Sequence, residues 1–169
     1  MEQVKVKRKT VEQALSVLRR QCARMERSEY DVRRSMIRWQ MTSDEMENVL
    51  SQLIAERFVD NARYAEAFVR DKLRFSGWGR KKIVNALRIK QISPHIIASL
   101  DYLFDSEDEG GKLATLLEKK ARQVKAKNRY DLRDKLIRFG LYRGFDLDEL
   151  LPIATKISVT KFSEDNSED

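Results

Sequence analysis

Apolar residues recur at intervals of three and four along almost the whole chain, and that periodicity leaves room for little except helices. Val11, Ala14, Leu15, Leu18, Cys22 and Met25 make one such stripe. Tyr64, Ala65, Phe68, Val69 and Leu73 make another, and Ile83, Val84 and Leu87 a third. Proline, which would break them, is confined to Pro94 and Pro152. Start signals punctuate the stripes. Ser28 to Asp31 and Thr42 to Glu45 have capping-box form, the first with Asp as a shorter substitute for Glu. Asp60 can cap the helix after it, and Ser93 offers a cap just before a proline suited to a first turn. Asp146, Asp148 and Glu149 give an acidic first turn that complements the helix dipole. These signals predict helices over residues 10–26, 29–40, 43–57, 61–75, 80–91, 94–104, 109–126, 129–140 and 146–157, with no strand. The expected fold class is all-α.

Nine helices in groups of three suggest an internal repeat of about 50 residues. An offset of 51 superposes Val32 on Ile83, Met36 on Leu87, Met41 on Ile92 and Val49 on Leu100. For a third unit, an offset of 49 pairs Ile83 with Leu132 and Leu87 with Leu136, but sliding by four to match Ile92 with Phe145 serves as well. A slip of one helical turn preserves an apolar stripe, so periodicity does not choose between them. The expected organisation is an elongated array: a basic N-terminal arm at 1–9, three-helix repeats at 10–60, 61–104 and 105–162, and an acidic disordered tail at 163–169. Asp105 to Gly111, acidic and ending in two glycines, reads as a hinge opening the third repeat.

Charge is distributed unevenly among these units. The chain carries 34 Lys and Arg against 27 Asp and Glu, a net +7. Residues 61–104 alone hold 9 cations against 3 anions, a net +6. Arg63, Arg70 and Arg74 share one side of the first helix of that unit. Lys81 and Arg88 share one side of the next, with Arg80, Lys82 and Lys90 beside them. Because the apolar stripes must point inward, these cations point outward. Such a surface attracts phosphates by counterion release without reading sequence, or meets an acidic protein surface, or is simply a solvated face. The arm from Lys5 to Lys9 can likewise lie on a phosphate backbone or serve as a soluble leader.

Enzymatic readings find little support. His95 is the only histidine and Cys22 the only cysteine, so neither a Cys/His metal set nor an internal disulfide is available. Cys22, within an apolar stripe, reads as a small core residue. Gly77-Trp78-Gly79-Arg80-Lys81 lacks the spacing and the Lys-Ser/Thr ending of a Walker loop. Trp78 can stack on a base, although a tryptophan plugging the corner between two helices is the commoner outcome. No catalytic residue, metal or cofactor is expected. No apolar run approaches the roughly 20 residues that span a bilayer, and no signal-peptide core is evident, so an intracellular, cytoplasmic location is expected.

The run from Asp60 to Ile92 carries a family resemblance. Phe58-Val59-Asp60-Asn61, then Arg63-Tyr64-Ala65 with Phe68, then Gly77 and Gly79 with Ile83 and Leu87, resemble the second unit of the RecX family, regulators of the RecA recombinase. Arg138-Phe139 and Arg143-Gly144-Phe145 are similar to the family's third unit. The similarity extends over about residues 10–157. Two positions depart from the pattern: Asn61 replaces a second acid, and Gln91 stands where a glycine usually ends the helix. The resemblance implies tandem three-helix repeats and a protein that acts by binding. Its partners would be RecA, the RecA filament, and single- or double-stranded DNA without sequence preference. It would modulate recombinase activity in DNA repair, recombination and the SOS response, with inhibition the expected direction. Whether the middle unit's cations touch DNA or RecA is left open by the residues. Two rival readings also fit the helices, a helix-turn-helix DNA-binding regulator and a helical-repeat scaffold for another protein. The first needs a recognition helix with base-reading side chains, whereas residues 80–91 offer mainly phosphate-type contacts.

Overall fold

The computed structural model describes residues 7–104 and 108–164, all of whose regular structure is helical. Lys5 of the expected arm, residues 105–107 of the expected hinge and 165–169 of the expected tail lie outside the described residues. The elements are α1 (Val11–Arg24), α2 (Glu29–Arg38), α3 (Ser43–Ala55), α4 (Asn61–Asp71), α5 (Arg80–Ile89), α6 (Pro94–Ser99), α7 (Asp108–Gln123), α8 (Arg129–Arg143) and α9 (Leu147–Glu164).

Side chains start these helices much as the residue types dictate. Thr10 and Thr42 close reciprocal boxes with Gln13 and Glu45. Ser28 Oγ and Asn128 Oδ1 each accept from the backbone N–H three residues on, that of Asp31 and of Asp131 respectively. Asp60 Oδ1 accepts from the N–H groups of Ala62 and Arg63, at 2.9 and 3.0 Å. Each cap satisfies donors that the first turn leaves without intrahelical partners, and removing one typically costs about 1 kcal/mol.

The helix ends obey a second rule. Gln40, Gln91 and Gly144 follow α2, α5 and α8 with left-handed φ values of 56°, 58° and 92°. In each case the next residue bonds back to a carbonyl five positions earlier: Met41 N to Met36 O, Ile92 N to Leu87 O, and Phe145 N to Gly140 O, at 3.1–3.3 Å. This αL stop satisfies carbonyls that would otherwise be orphaned. It also fixes the register of the third unit. Phe145 corresponds to Ile92, so Leu136 takes the place of Ile83, and Gly140 that of Leu87. The alternative pairing of Leu136 with Leu87 is excluded. Gln91, where the family pattern expects glycine, adopts the glycine-like conformation itself.

Several boundaries differ from expectation. The helix expected over 61–75 is α-helical only to Asp71. Lys72–Ser76 form a π-helical turn that Gly77 ends at φ 57°. The helix expected over 94–104 stops at Ser99, and a 3₁₀ turn, Asp101–Leu103, follows. Asp108 to Gly111, read as part of a hinge, belong to the first turn of α7. α8 runs through Gly140 to Arg143 because that glycine lets Leu150 of α9 pack onto bare backbone; a Cβ there would meet Leu150 Cδ2 at 2.1 Å. α9 continues to Glu164, burying Ala154 and Ser158 on one face.

The described residues gather into two compact units. Those within Met1–Phe68 and Leu87–Ala98 make the first, and those within Val69–Ala86 and Ser99–Asp169 the second, so the division runs through α4 and α5. In the first unit, α1, α2 and α3 enclose Ala14, Leu18, Val32, Met36, Val49 and Leu53, all fully buried. In the second, α7, α8 and α9 enclose Leu117, Leu132, Leu136, Leu150 and Ala154. Burying an aliphatic side chain stabilises a fold by about 1.5–3 kcal/mol, so these small cores carry the units.

Candidate functional site

Within the second unit, the start of α5 is fastened to the end of α8. Gly79 N donates to Arg143 O at 2.8 Å and Lys81 N to Gly144 O at 3.1 Å. Unsatisfied N–H groups of one helix thus meet unsatisfied carbonyls of another, positive end to negative end. The approach requires two glycines. A Cβ on Gly79 would lie 2.5 Å from the carbonyl carbon and oxygen of Gly144, and one on Gly144 would lie 2.4 Å from Lys82 Cβ. Arg143 also donates from its guanidinium to Ser76 O, fixing the end of the π turn. Of the glycines expected as family-motif residues, Gly79 therefore holds the joint, and Gly77 ends the π turn.

This joint sets the cations of α5. Arg80 Nη2 lies 2.8 Å from Asp101 Oδ1, with its guanidinium 5.3 Å from the Phe104 ring centre. Lys81 pairs with Asp146, which holds its ammonium above the usual lysine range. Lys82 is held between two rings, 4.6 Å from Trp78 and 4.4 Å from Tyr142. Cation–π attraction favours a lysine there over a solvated one. Arg70 is exposed on α4, and Arg74 sits 5.1 Å over the ring of Phe75.

The remaining candidates lie in the first unit. Arg63 Nε donates to Glu26 at 2.6 Å, which raises its pKa, and Nη2 donates to Arg57 O at 3.0 Å. It thereby clasps the turn between α3 and α4. Lys90 pairs with Asp31 and lies 5.6 Å from the Tyr30 ring centre. Arg88 is exposed and makes no ion pair among the described residues. Of the eight expected contact residues, Arg70, Arg74, Arg80, Lys81 and Lys82 fall in one unit, and Arg63, Arg88 and Lys90 in the other. Arg63, Arg80, Lys81 and Lys90 already have carboxylate partners.

The apolar motif residues are structural. Tyr64, Ala65, Ile83 and Leu87 are buried, whereas Phe68 is half-buried and stacks on Tyr64 at 5.9 Å between ring centres. Asn61 Oδ1 accepts from Glu29 N at 3.0 Å while its Nδ2 donates to Glu29 Oε1 at 3.1 Å. A second acid at that position would face Glu29 with like charge, which accounts for the departure. Among the described residues no group of three or more His, Cys, Asp and Glu is placed to hold a metal, and no helix is long and apolar enough to cross a membrane.

Two family patterns match this chain: RecX, second three-helix domain, over residues 60–99, and RecX, third three-helix domain, over residues 107–149. The regulatory protein RecX of Neisseria meningitidis serogroup B is 33% identical over 128 residues, 75% of this chain and 78% of that protein. The chain belongs to the RecX family. Regulatory protein RecX of Haemophilus ducreyi is 31% identical across 70% of this chain and 75% of its own length. That of Clostridium perfringens strain 13 is 29% identical, but the chain spans only 65% of its length. A crystal structure of RecX from Lactobacillus salivarius has the same fold, with a TM-score of 0.72 at 21% identity over 88% of this chain and 97% of that one. The matched stretches contain the Gly79–Gly144 joint and the αL stops at Gln91 and Gly144.

Proposed function

We propose that this protein binds RecA and RecA–DNA filaments in the cytoplasm and lowers recombinase activity, by occupancy and not by chemistry. Membership of the RecX family carries the reading. The repeated three-helix units support it, since several modest contacts along a filament of identical subunits add through avidity. The net +6 of residues 61–104 supports a contact with phosphate or with an acidic filament surface, independent of base sequence. DNA repair, recombination and the SOS response are the processes such a regulator would serve.

The test is addition of the full chain to preformed RecA filaments on single-stranded DNA while ATP hydrolysis is followed. A dose-dependent fall supports the proposal; an unchanged rate together with no retention on immobilised filament rejects it. Arg88→Glu is the cleanest charge probe, because Lys81 reversal would also set two acids together at Asp146. It should weaken filament binding at low salt, whereas Arg20→Glu, equally exposed on α1, should do so less. Equal binding of specific and scrambled duplexes separates this reading from that of a sequence-reading regulator.

A further inference from the structure

Within the second unit, α7 and α9 leave a groove of about 670 Å³ between them, open to solvent on one side. Its floor is apolar, with Ala114 and Ala121 on α7 and Ile153 and Ile157 on α9. The two alanines share one face of α7 and keep that wall low, and small side chains at a contact let two helix axes approach closely. The groove follows α7 from Ala114 to Arg122 and α9 from Pro152 to Lys161. At the helical rise this is a span of about 12–14 Å, roughly two turns and a half. Its rim is charged unevenly. Arg122 and Lys156 are exposed and make no ion pair among the described residues, and Glu118 is the single acid among the described residues that line the groove. Lys161 is engaged already: its ammonium donates to Ala121 O at 2.7 Å, at the negative end of α7.

We infer that this groove seats an acidic, amphipathic helix of a partner protein, its apolar stripe on the alanines and isoleucines and its carboxylates beside Arg122 and Lys156. Each feature disfavours another occupant. No aromatic ring lines the groove among the described residues, so a nucleic acid finds nothing to stack on, and the apolar floor gives phosphates no donor. That floor is made of side chains from helices whose backbone groups are already bonded, so an extended peptide cannot add by main-chain pairing. A small amphiphile needs a cavity that covers most of its surface, whereas here two helices wall only part of the space. A helix suits the dimensions, since anchors at i, i+3 or i+4 and i+7 recur over about 10 Å. Three cations against one acid among the described lining residues favour carboxylates on its flanks over lysines. The groove shares no residue with the cations of α4 and α5 invoked for RecA, and its occupancy needs neither RecA nor DNA.

Fluorescence anisotropy of a labelled peptide of about 18 residues, long enough to be helical, tests the inference when titrated with the full chain. The peptide is built of Ala, Leu and Glu, with Leu at intervals of three and four and Glu on both flanks. It should bind, and more weakly as salt rises. Two controls should bind at least about 10-fold more weakly: one with Lys for every Glu, and an isomer of identical composition whose Leu residues are spread round the helix. Ala114→Gln, which stands a polar side chain in the seat, should weaken binding to a similar degree while leaving the helical spectrum unchanged. Arg122→Glu combined with Lys156→Glu should transfer the preference to the lysine peptide, a gain that a misfolded chain cannot produce. No binding of the acidic peptide at low salt, equal binding of the isomer, or an unchanged affinity of Ala114→Gln overturns the inference. So does displacement of the peptide by decanoate below its micellar range, which would indicate an acyl site. A concentration-dependent dimer that the peptide dissociates overturns it too, since a second copy would then cover the groove. None of these results bears on ATP hydrolysis by RecA filaments, so the two readings fail separately.

Discussion

Gly144→Ala should be the most damaging single-methyl change in the second unit. Two separate costs combine. At φ +92° an L-residue is strained, which for left-handed conformations amounts to about 1–2 kcal/mol. The added Cβ would also lie 2.4 Å from Lys82 Cβ, 2.5 Å from Lys82 N and 3.0 Å from Lys82 Cα. Two of these atoms are backbone in the first turn of α5 and cannot rotate away, so relief requires the joint to open. Overpacking of this kind costs about 1–3 kcal/mol. The sum is a loss of about 2–5 kcal/mol, and the bonds from Gly79 N and Lys81 N would lengthen with it. Gln91 is the internal control, since it has the same role after α5 at φ 58° and incurs only the first cost. Gln91→Gly should therefore leave stability unchanged or raise it by up to about 1 kcal/mol. Urea unfolding followed by circular dichroism measures both. A Gly144→Ala midpoint matching the parent, at equal slope, would refute the tight approach of α5 to α8.

Burial, with the nearby Asp31 charge adding to it, pushes Tyr64 up to about 12 from an ordinary 10.0. The unfolded chain then releases its proton first, so stability should be intact below pH 10.0 and fall by roughly 2–3 kcal/mol as pH rises towards 12. Tyr64→Phe should abolish that fall, and a parent whose stability is flat over this window would contradict the burial. Cys22 is half-buried with its thiol held above the ordinary value by desolvation, so a thiol reagent should label the native protein slowly and the unfolded protein fast; native labelling at the rate of a free thiol would rule this out. Phe68→Ala should cost about 1.5–3 kcal/mol in a thermal or urea melt, less than a fully buried phenylalanine, because the ring keeps part of its surface in water. A loss above that range would mean the ring is more deeply packed than it is here.

Much of the fold is legible in the residues because helices are local objects. Ser28, Thr42, Asp60 and Ser93 announce their helices by chemistry that acts over three positions, and each does cap. Helix ends were harder. Nothing in Gln40, Arg57 or Gln91 marks a left-handed residue, since glycine is the usual signal and these positions adopt φ 56–61° without it. Gly140 misled in the opposite sense. It resembles a stop, yet it stays helical because Leu150, ten positions on, fills the space that its missing side chain leaves. The register of the third unit was illegible for the same reason. A glycine in the place of Leu87 breaks the apolar match at the offset that the hydrogen bonds require.

The candidate site shows the limit of counting charges. Excess cation in residues 61–104 is real, but a count assigns every side chain to solvent, whereas the fold gives Arg63, Arg80, Lys81 and Lys90 partners that lie 21–65 positions away. Three of those ion pairs are exposed, Lys90–Asp31 being part-buried, and exposed pairs contribute little to stability. Their effect is to select which cations keep their full attraction for an anionic partner. Arg74, Arg88 on α5 and Lys119 on α7 make no ion pair among the described residues. Of these, Lys119 lies in the third unit, whose net charge of −1 over residues 105–169 concealed it from any reading by composition. A near-neutral segment can still place cations on one face of a helix, as Lys112 and Lys119, seven positions apart, are placed on α7. Arg88→Gln should therefore weaken filament binding at low salt more than Lys81→Gln, because Asp146 already offsets the charge of Lys81; equal losses in a salt titration would refute it.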